Sequence, residues 1–167
     1  MNKYKKITVI LLVLLMALSV VGCSSGKSEV YDNGVISVTV PKGWMVYESK
    51  NSNNEVVKTN LSVVKTTDKS KIMDSPMVTI SYAGADKTLY PVTKDFYEDT
   101  EDLAVWEIGG KKFEGFKGTS FGAEMLYYFA VDGDKEYQVV VWPNMKNGTI
   151  SLEDEDVKTI VESLTGK

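Results

Sequence analysis

From Val35 to Val40 the side chains alternate, with Ile36, Val38 and Val40 on one face and Val35, Ser37 and Thr39 on the other. A period of two with one apolar face predicts a half-buried strand. Pro41-Lys42-Gly43-Trp44 predicts a turn, because Pro presets φ and Gly permits the reversal. Strand character resumes over Met45 to Ser49, over the β-branched run Val56 to Thr66, and over Met77 to Tyr82, with polar loops at 51–54 and 68–76 between them. Residues 92–103 change period. Val92, Phe96 and Leu103 recur among Lys94, Asp95, Glu98, Asp99, Glu101 and Asp102, a spacing that predicts a helix. Strands follow at Ala104–Ile108 and Lys112–Thr119 around Gly109-Gly110, and at Glu124–Val131 and Glu136–Trp142 around the hairpin Asp132-Gly133-Asp134-Lys135. The chain closes on a second predicted helix. Ser151 is its expected N-cap, the acids at 153–156 suit the positive end of its dipole, and Val157, Ile160, Val161 and Leu164 form its apolar stripe. Gly166 stands where that helix should stop.

The order is four strands, helix, four strands, helix. Runs of consecutive strands favour an α+β domain: an antiparallel sheet of about six to eight strands with two or more helices packed on it.

The first 23 residues follow none of these periods. Lys3, Lys5 and Lys6 precede Ile7–Val21, a 15-residue run interrupted only by Thr8 and Ser19. A membrane-spanning helix needs about 20 apolar residues, so this run has the length of a signal h-region. Val20-Val21-Gly22-Cys23 resembles the lipobox of bacterial lipoproteins. The resemblance implies cleavage before Cys23, a thioether-linked diacylglyceryl group on its sulfur, and an amine open to further acylation such as palmitate. The expected organisation is a signal peptide over 1–22, a lipidated cysteine and polar tether over 23–30, and one domain over 31–167. The mature protein would then sit on the outer face of the cell membrane, outside the cytoplasm. Two or more acyl chains make a durable anchor, at roughly 0.8 kcal/mol per buried CH₂.

Composition narrows the chemistry. The chain has 167 residues, of which 145 remain after removal of 1–22, enough to bury a core without a metal or disulfide. All 19 basic residues are Lys; three leave with the signal, so 16 Lys face 23 acids and the mature net charge is −7. Such a protein repels nucleic acid, whose binding rests on cationic contacts to phosphate. With no Arg, no guanidinium fork is present for carboxylate or phosphate. With one Cys and no His, no intrachain disulfide, no Ser–His–Asp or Cys–His arrangement, and no common Cys/His zinc site can be built. No cofactor is expected.

The strand and helix segments resemble the PsbP-like superfamily, which also includes many bacterial lipoproteins. The resemblance lies in Gly34-Val35-Ile36-Ser37-Val38-Thr39-Val40-Pro41-Lys42-Gly43-Trp44, in the Gly109-Gly110-Lys111-Lys112 hairpin, and in Tyr137–Trp142 followed by Glu155–Leu164. It covers most of residues 31–165. The superfamily shares no catalytic residues to carry over. The resemblance implies a fold and a tendency toward binding or assembly.

Several clusters invite a functional reading. Asp132, Asp134 and Glu136 are spaced like the start of a calcium loop, but a strand begins where the later ligands belong, so a hairpin turn accounts for them. The acids at 153–156 fit a helix N-terminus, and those at 95–102 a solvated face. The aromatic residues form the stronger candidate. Trp44, Trp106, Tyr128 and Trp142 are the expected ligand-contacting residues, because both faces of the 124–131 and 136–142 strands are largely apolar. If helices cover one face only, the other could take an apolar ligand or partner. The leading expectation is a non-catalytic, membrane-tethered binding or assembly module with a protein partner in the envelope. A small apolar-ligand carrier is the alternative. A carboxylate-dependent hydrolase of wall polymers would need two acids roughly 5–10 Å apart in one cleft.

Overall fold

A computed structural model describes residues 27–90 and 92–167. The signal segment, Cys23 and the start of the tether lie outside the described residues. No helix among the described residues is long and apolar enough to cross a membrane.

The fold is dominated by an eight-stranded antiparallel sheet. Its strands are β3 (Met45–Lys50), β4 (Val56–Val64), β5 (Met77–Ala83), β10 (Lys135–Trp142), β9 (Ala123–Asp132) and β8 (Lys111–Ser120), in that spatial order. The far edge is shared by two short strands that both pair with β8: β6 (Glu98–Asp102) and β7 (Trp106–Ile108). A three-stranded sheet packs on one face, made of β1 (Glu29–Asp32), β2 (Ile36–Val40) and β13 (Thr165–Gly166) with β2 in the middle. Helix α1 (Glu155–Glu162) lies beside β2. A small hairpin, β11 (Asn144–Met145) and β12 (Gly148–Thr149), leads from β10 toward α1.

Register sorts the side chains into two faces. Val63, Val78 and Val141 form one cross-strand row, and Leu61, Ile80, Val139 and Tyr128 the next. These residues face inward, where Ile36, Val38 and Val40 of β2 meet Val157, Ile160, Val161 and Leu164 of the α1 region in one buried cluster. The expected apolar stripe of the last helix therefore packs as its phase requires. Its cap differs. Asp154 occupies the cap position, and Ser151 donates to the Asp154 carboxylate from its hydroxyl (2.8 Å) and its amide (3.2 Å). Gly166 does more than end a helix: it lies in β13, directly against the Tyr82 ring, where no side chain fits.

The outer face carries a smaller cluster, Phe116, Met125, Tyr127 and Val140. The helix expected over 92–103 is not there. Residues 84–90 and 92–97 form instead a strap across this face, with a short 3-10 turn at Lys94–Phe96, and β6 follows. The strap is held where the Leu89 amide donates to Glu136 (2.7 Å) and the Val92 amide to the Tyr127 hydroxyl (3.3 Å), and Tyr97 packs against Phe116 at 5.7 Å between ring centroids. The physical reason lies in the charges. A helix would stack Asp95, Glu98, Asp99 and Asp102 three and four residues apart, where like charges repel. In the edge strand Glu98, Asp99 and Asp102 project into water, Asp95 stays exposed in the turn before it, and Glu101 pairs with Lys117 (2.8 Å). A charged edge also resists pairing with other chains. The helical layer is therefore thinner than expected: one α-helix among the described residues, so the α+β domain is mostly sheet. Strand pairing begins at Glu29, two residues ahead of the expected boundary at 31.

Candidate functional site along the edge strand β3

The four aromatic residues singled out by the sequence do not converge. Trp44 is buried in the inner cluster, and its indole N–H donates to Asp156 in the first turn of α1 (3.0 Å). Tyr128 is buried on the same face, with Trp106 packed on its ring at 5.3 Å and on Phe113 at 6.3 Å. Trp142 lies on the opposite face, half-buried beside the outer cluster. Alternation along β10 and β9 put apolar residues on both faces, as read from the sequence, but the strap and α1 occupy the space above them.

The acids are likewise dispersed. Among the described residues, no group of three or more His, Cys, Asp or Glu side chains is placed to hold a metal ion. Asp132 and Asp134 flank Gly133, whose φ of 64° makes the β9–β10 hairpin turn, and Glu136 is engaged by the Leu89 amide.

A cleft beside β3 involves none of the aromatic residues singled out above. It runs beside β3 with a volume of about 460 Å³, and its walls include Tyr31, Val46, Tyr47, Glu48, Lys69 and Ile72. β3 sits here because the Pro41–Trp44 turn reverses the chain out of β2 and because Val46 pairs with Val63 over the core. It is the last strand on its side of the sheet. Among the described residues no further backbone hydrogen bond reaches Met45–Lys50, so one row of its N–H and C=O groups faces outward. A register shift between Glu48 and Lys50 bends the end of the strand.

Polar groups in the cleft are few and oriented. The Tyr31 hydroxyl donates to Glu48, and burial together with that carboxylate pushes the phenol well above its ordinary value, so Tyr31 stays a neutral donor. Lys50 and Lys69 place positive charge at the rim, where Lys50 also reaches Asn54 (3.2 Å). Tyr47 is exposed on the outer side, beside a polar ladder in which Ser49 bonds Asn60 (2.7 Å), Asn60 bonds Ser81 (2.7 Å), and Ser62 meets Thr79 (3.0 Å). An open strand edge beside an apolar wall suits an extended polypeptide: main-chain hydrogen bonds supply affinity, and neighbouring hollows take alternate side chains.

One further polar group is buried for structural reasons. The Lys111 ammonium donates to the carbonyls of Leu164 (2.8 Å) and Gly109 (3.3 Å) and lies 5.0 Å from the Tyr137 ring, which ties the β7–β8 hairpin to the end of α1. Burial pulls its pKa below the usual lysine value.

No family model matches the chain, and no curated protein matches it. Among solved structures, a cyanobacterial PsbP from Synechocystis sp. PCC 6803 is similar at 15% identity and a TM-score of 0.45, covering 91% of this chain and 99% of that one. A protein from Bacteroides thetaiotaomicron is similar at 11% identity and a TM-score of 0.47, covering 86% of this chain. The chain spans about half the length of that protein, 49% of it.

Proposed function

We propose that this chain is a bacterial lipoprotein whose PsbP-like domain is a non-catalytic binding module, lipid-anchored at Cys23 on the outer face of the cell membrane. Its binding element is β3, which receives an extended segment of an envelope protein as an added strand. The observation that carries this reading is the free edge of β3 beside a cleft of about 460 Å³. The lipobox-like Val20-Val21-Gly22-Cys23 supports the anchor.

The experiment places a photo-crosslinking residue at Tyr47 in the full-length protein and irradiates intact cells. A discrete covalent adduct with one envelope protein is expected at Tyr47 and not at Val131, which is exposed on the far end of the sheet. Equal labelling at both positions, or none, counts against the binding role. A low-mass adduct at Tyr47 would favour the small-ligand carrier. The anchor is tested separately: Cys23→Ala should release the protein to the medium or leave uncleaved precursor, whereas unchanged membrane retention of mature-length protein would overturn it.

A further inference from the structure

The sheet has two ends, and register assigns residues to each. Met45, Val64, Met77 and Trp142 form a row across one end. The β8–β9 hairpin projects past that row: Gly118 pairs with Met125, and two more residue pairs follow before the tip at Phe121-Gly122, a protrusion of roughly 7 Å. The Lys69–Asp74 turn joins β4 to β5 at this same end. So does the strap where it enters β6, since Glu98 pairs with Thr119. β1 also points this way. Glu29 pairs with Val40, just before the Pro41–Trp44 turn that leads into Met45, so the chain running back toward Cys23 leaves from this end.

Apolar side chains stand in water here. Phe121 is fully exposed (107%), Phe96 is 83% exposed, Met73 74% and Val30 71%. Phe121 is the most telling. Phe121 (φ 51°) and Gly122 (φ 76°) form a two-residue turn with both φ positive, a conformation that favours Asn-Gly and disfavours a bulky side chain at its first position. A phenylalanine that strains its own turn and is wholly exposed contributes nothing to the fold. Backbone strain at an exposed aromatic argues for a role outside the domain.

We infer that this end of the sheet rests on the bilayer, with Phe121 at the hairpin tip seated in the headgroup–acyl boundary and Phe96 exposed at the same end. The inference rests on the lipid anchor proposed above. Six residues from Cys23 to Glu29 span at most about 20 Å, so the anchored domain is held close to the surface with this end toward it. Glu98, Asp99 and Glu124 occur at the same end, so the contact is apolar and does not require anionic lipid. In this orientation β3 starts at the bilayer-facing end with Met45 and runs away from it toward Lys50.

The test uses the full-length protein, produced in a bacterium that processes lipoproteins and reconstituted in phosphatidylcholine vesicles with brominated acyl chains. Phe121→Trp and Val131→Trp are compared against the parent, because Val131 is exposed at the opposite end. Bromolipid should quench the added emission at 121 several-fold more than at 131. Equal quenching, in protein whose mass shows lipid on Cys23, overturns the inference while the anchor stands. A mass without lipid, with protein that does not float with vesicles, overturns the anchor first and this orientation with it. Phe121→Asn should melt no lower than the parent, because the turn loses its strain; a lower melting temperature would show that Phe121 serves the fold, and would overturn the assignment.

Discussion

The two faces of the main sheet are built from the same strands yet are closed in different ways. On the inner face, Leu61, Val63, Ile80, Val139 and Tyr128 meet a second sheet and a helix, and the cluster is sealed. On the outer face, Phe116, Met125, Tyr127 and Val140 are covered only by an irregular strap, while the β3–β4–β5 half is a ladder of Ser, Thr and Asn. Alternation in a strand creates a face; it does not say what will lie on it. The inner face gains regular cover because β2 and α1 each offer a matching apolar stripe. The strap offers only a few apolar contacts, among them Val92 and Tyr97, and so covers less.

This contrast can be broken most severely on the inner side. Ile160 is fully buried, so Ile160→Asp should destabilise the domain by on the order of 4 kcal/mol, since it leaves an unpaired charge in an apolar cluster. Chemical denaturation measures it, and a wild-type midpoint would mean that α1 does not close the core. Next in size is Gly115→Ala. An added methyl would run into the Tyr127 carbonyl and the Tyr128 ring, so a loss of about 2–3 kcal/mol is expected. A value near zero would show that β8 and β9 part more easily than their register implies.

Alkaline titration sharpens the comparison across both faces. Burial pushes the phenols of Tyr128 and Tyr137, on the inner face, and of Tyr127, on the outer face, above their ordinary value. A phenol whose folded pKa is raised contributes stability that is complete below about pH 10 and is lost as pH climbs through the folded value. Lys111 works in the opposite sense: burial disfavours its charged form, so losing that proton favours the fold. With Tyr31, whose phenol is raised as well, four tyrosines outweigh one lysine, and stability should fall above about pH 10, with buried-tyrosine ionisation rising together with unfolding. Ionisation of Tyr127, Tyr128 and Tyr137 in a domain still folded by circular dichroism would contradict the burial argument.

The strap supplies a smaller effect. Tyr127→Phe removes the acceptor for the Val92 amide and should cost about 1 kcal/mol. Hydrogen exchange should show faster opening within 84–97 than in β2 or α1; uniform acceleration would mean that strap and core open as one unit. Smallest of all are Glu155→Ala and Lys158→Ala. Glu155 is exposed, and Lys158 pairs with Glu153 (2.9 Å) in a solvent-facing ion pair, so each should change stability by under about 0.5 kcal/mol.

Much of this fold is legible from local pattern. Strands β2 to β5, β8 to β10 and the apolar stripe of α1 follow from periods of two and 3.6 alone, because each side chain's face is decided by its neighbours in sequence. The expectation of a lipobox-like segment ending at Cys23 rests on features that are equally local, namely length, charge and a small residue before cysteine. What pattern could not decide is anything set by a distant partner. β1 and β13 carry too little sequence to announce themselves and exist because β2 offers them a free edge. The acidic 98–102 segment becomes a strand because β8 needs an edge partner and because its charges repel one another in a helix. Trp44, Trp106, Tyr128 and Trp142 read alike in sequence as ligand-contacting candidates, but three face the inner core and one the outer face. The open edge of β3 is the clearest case: a strand is written in its own residues, whereas being the last strand is a property of every other strand in the sheet.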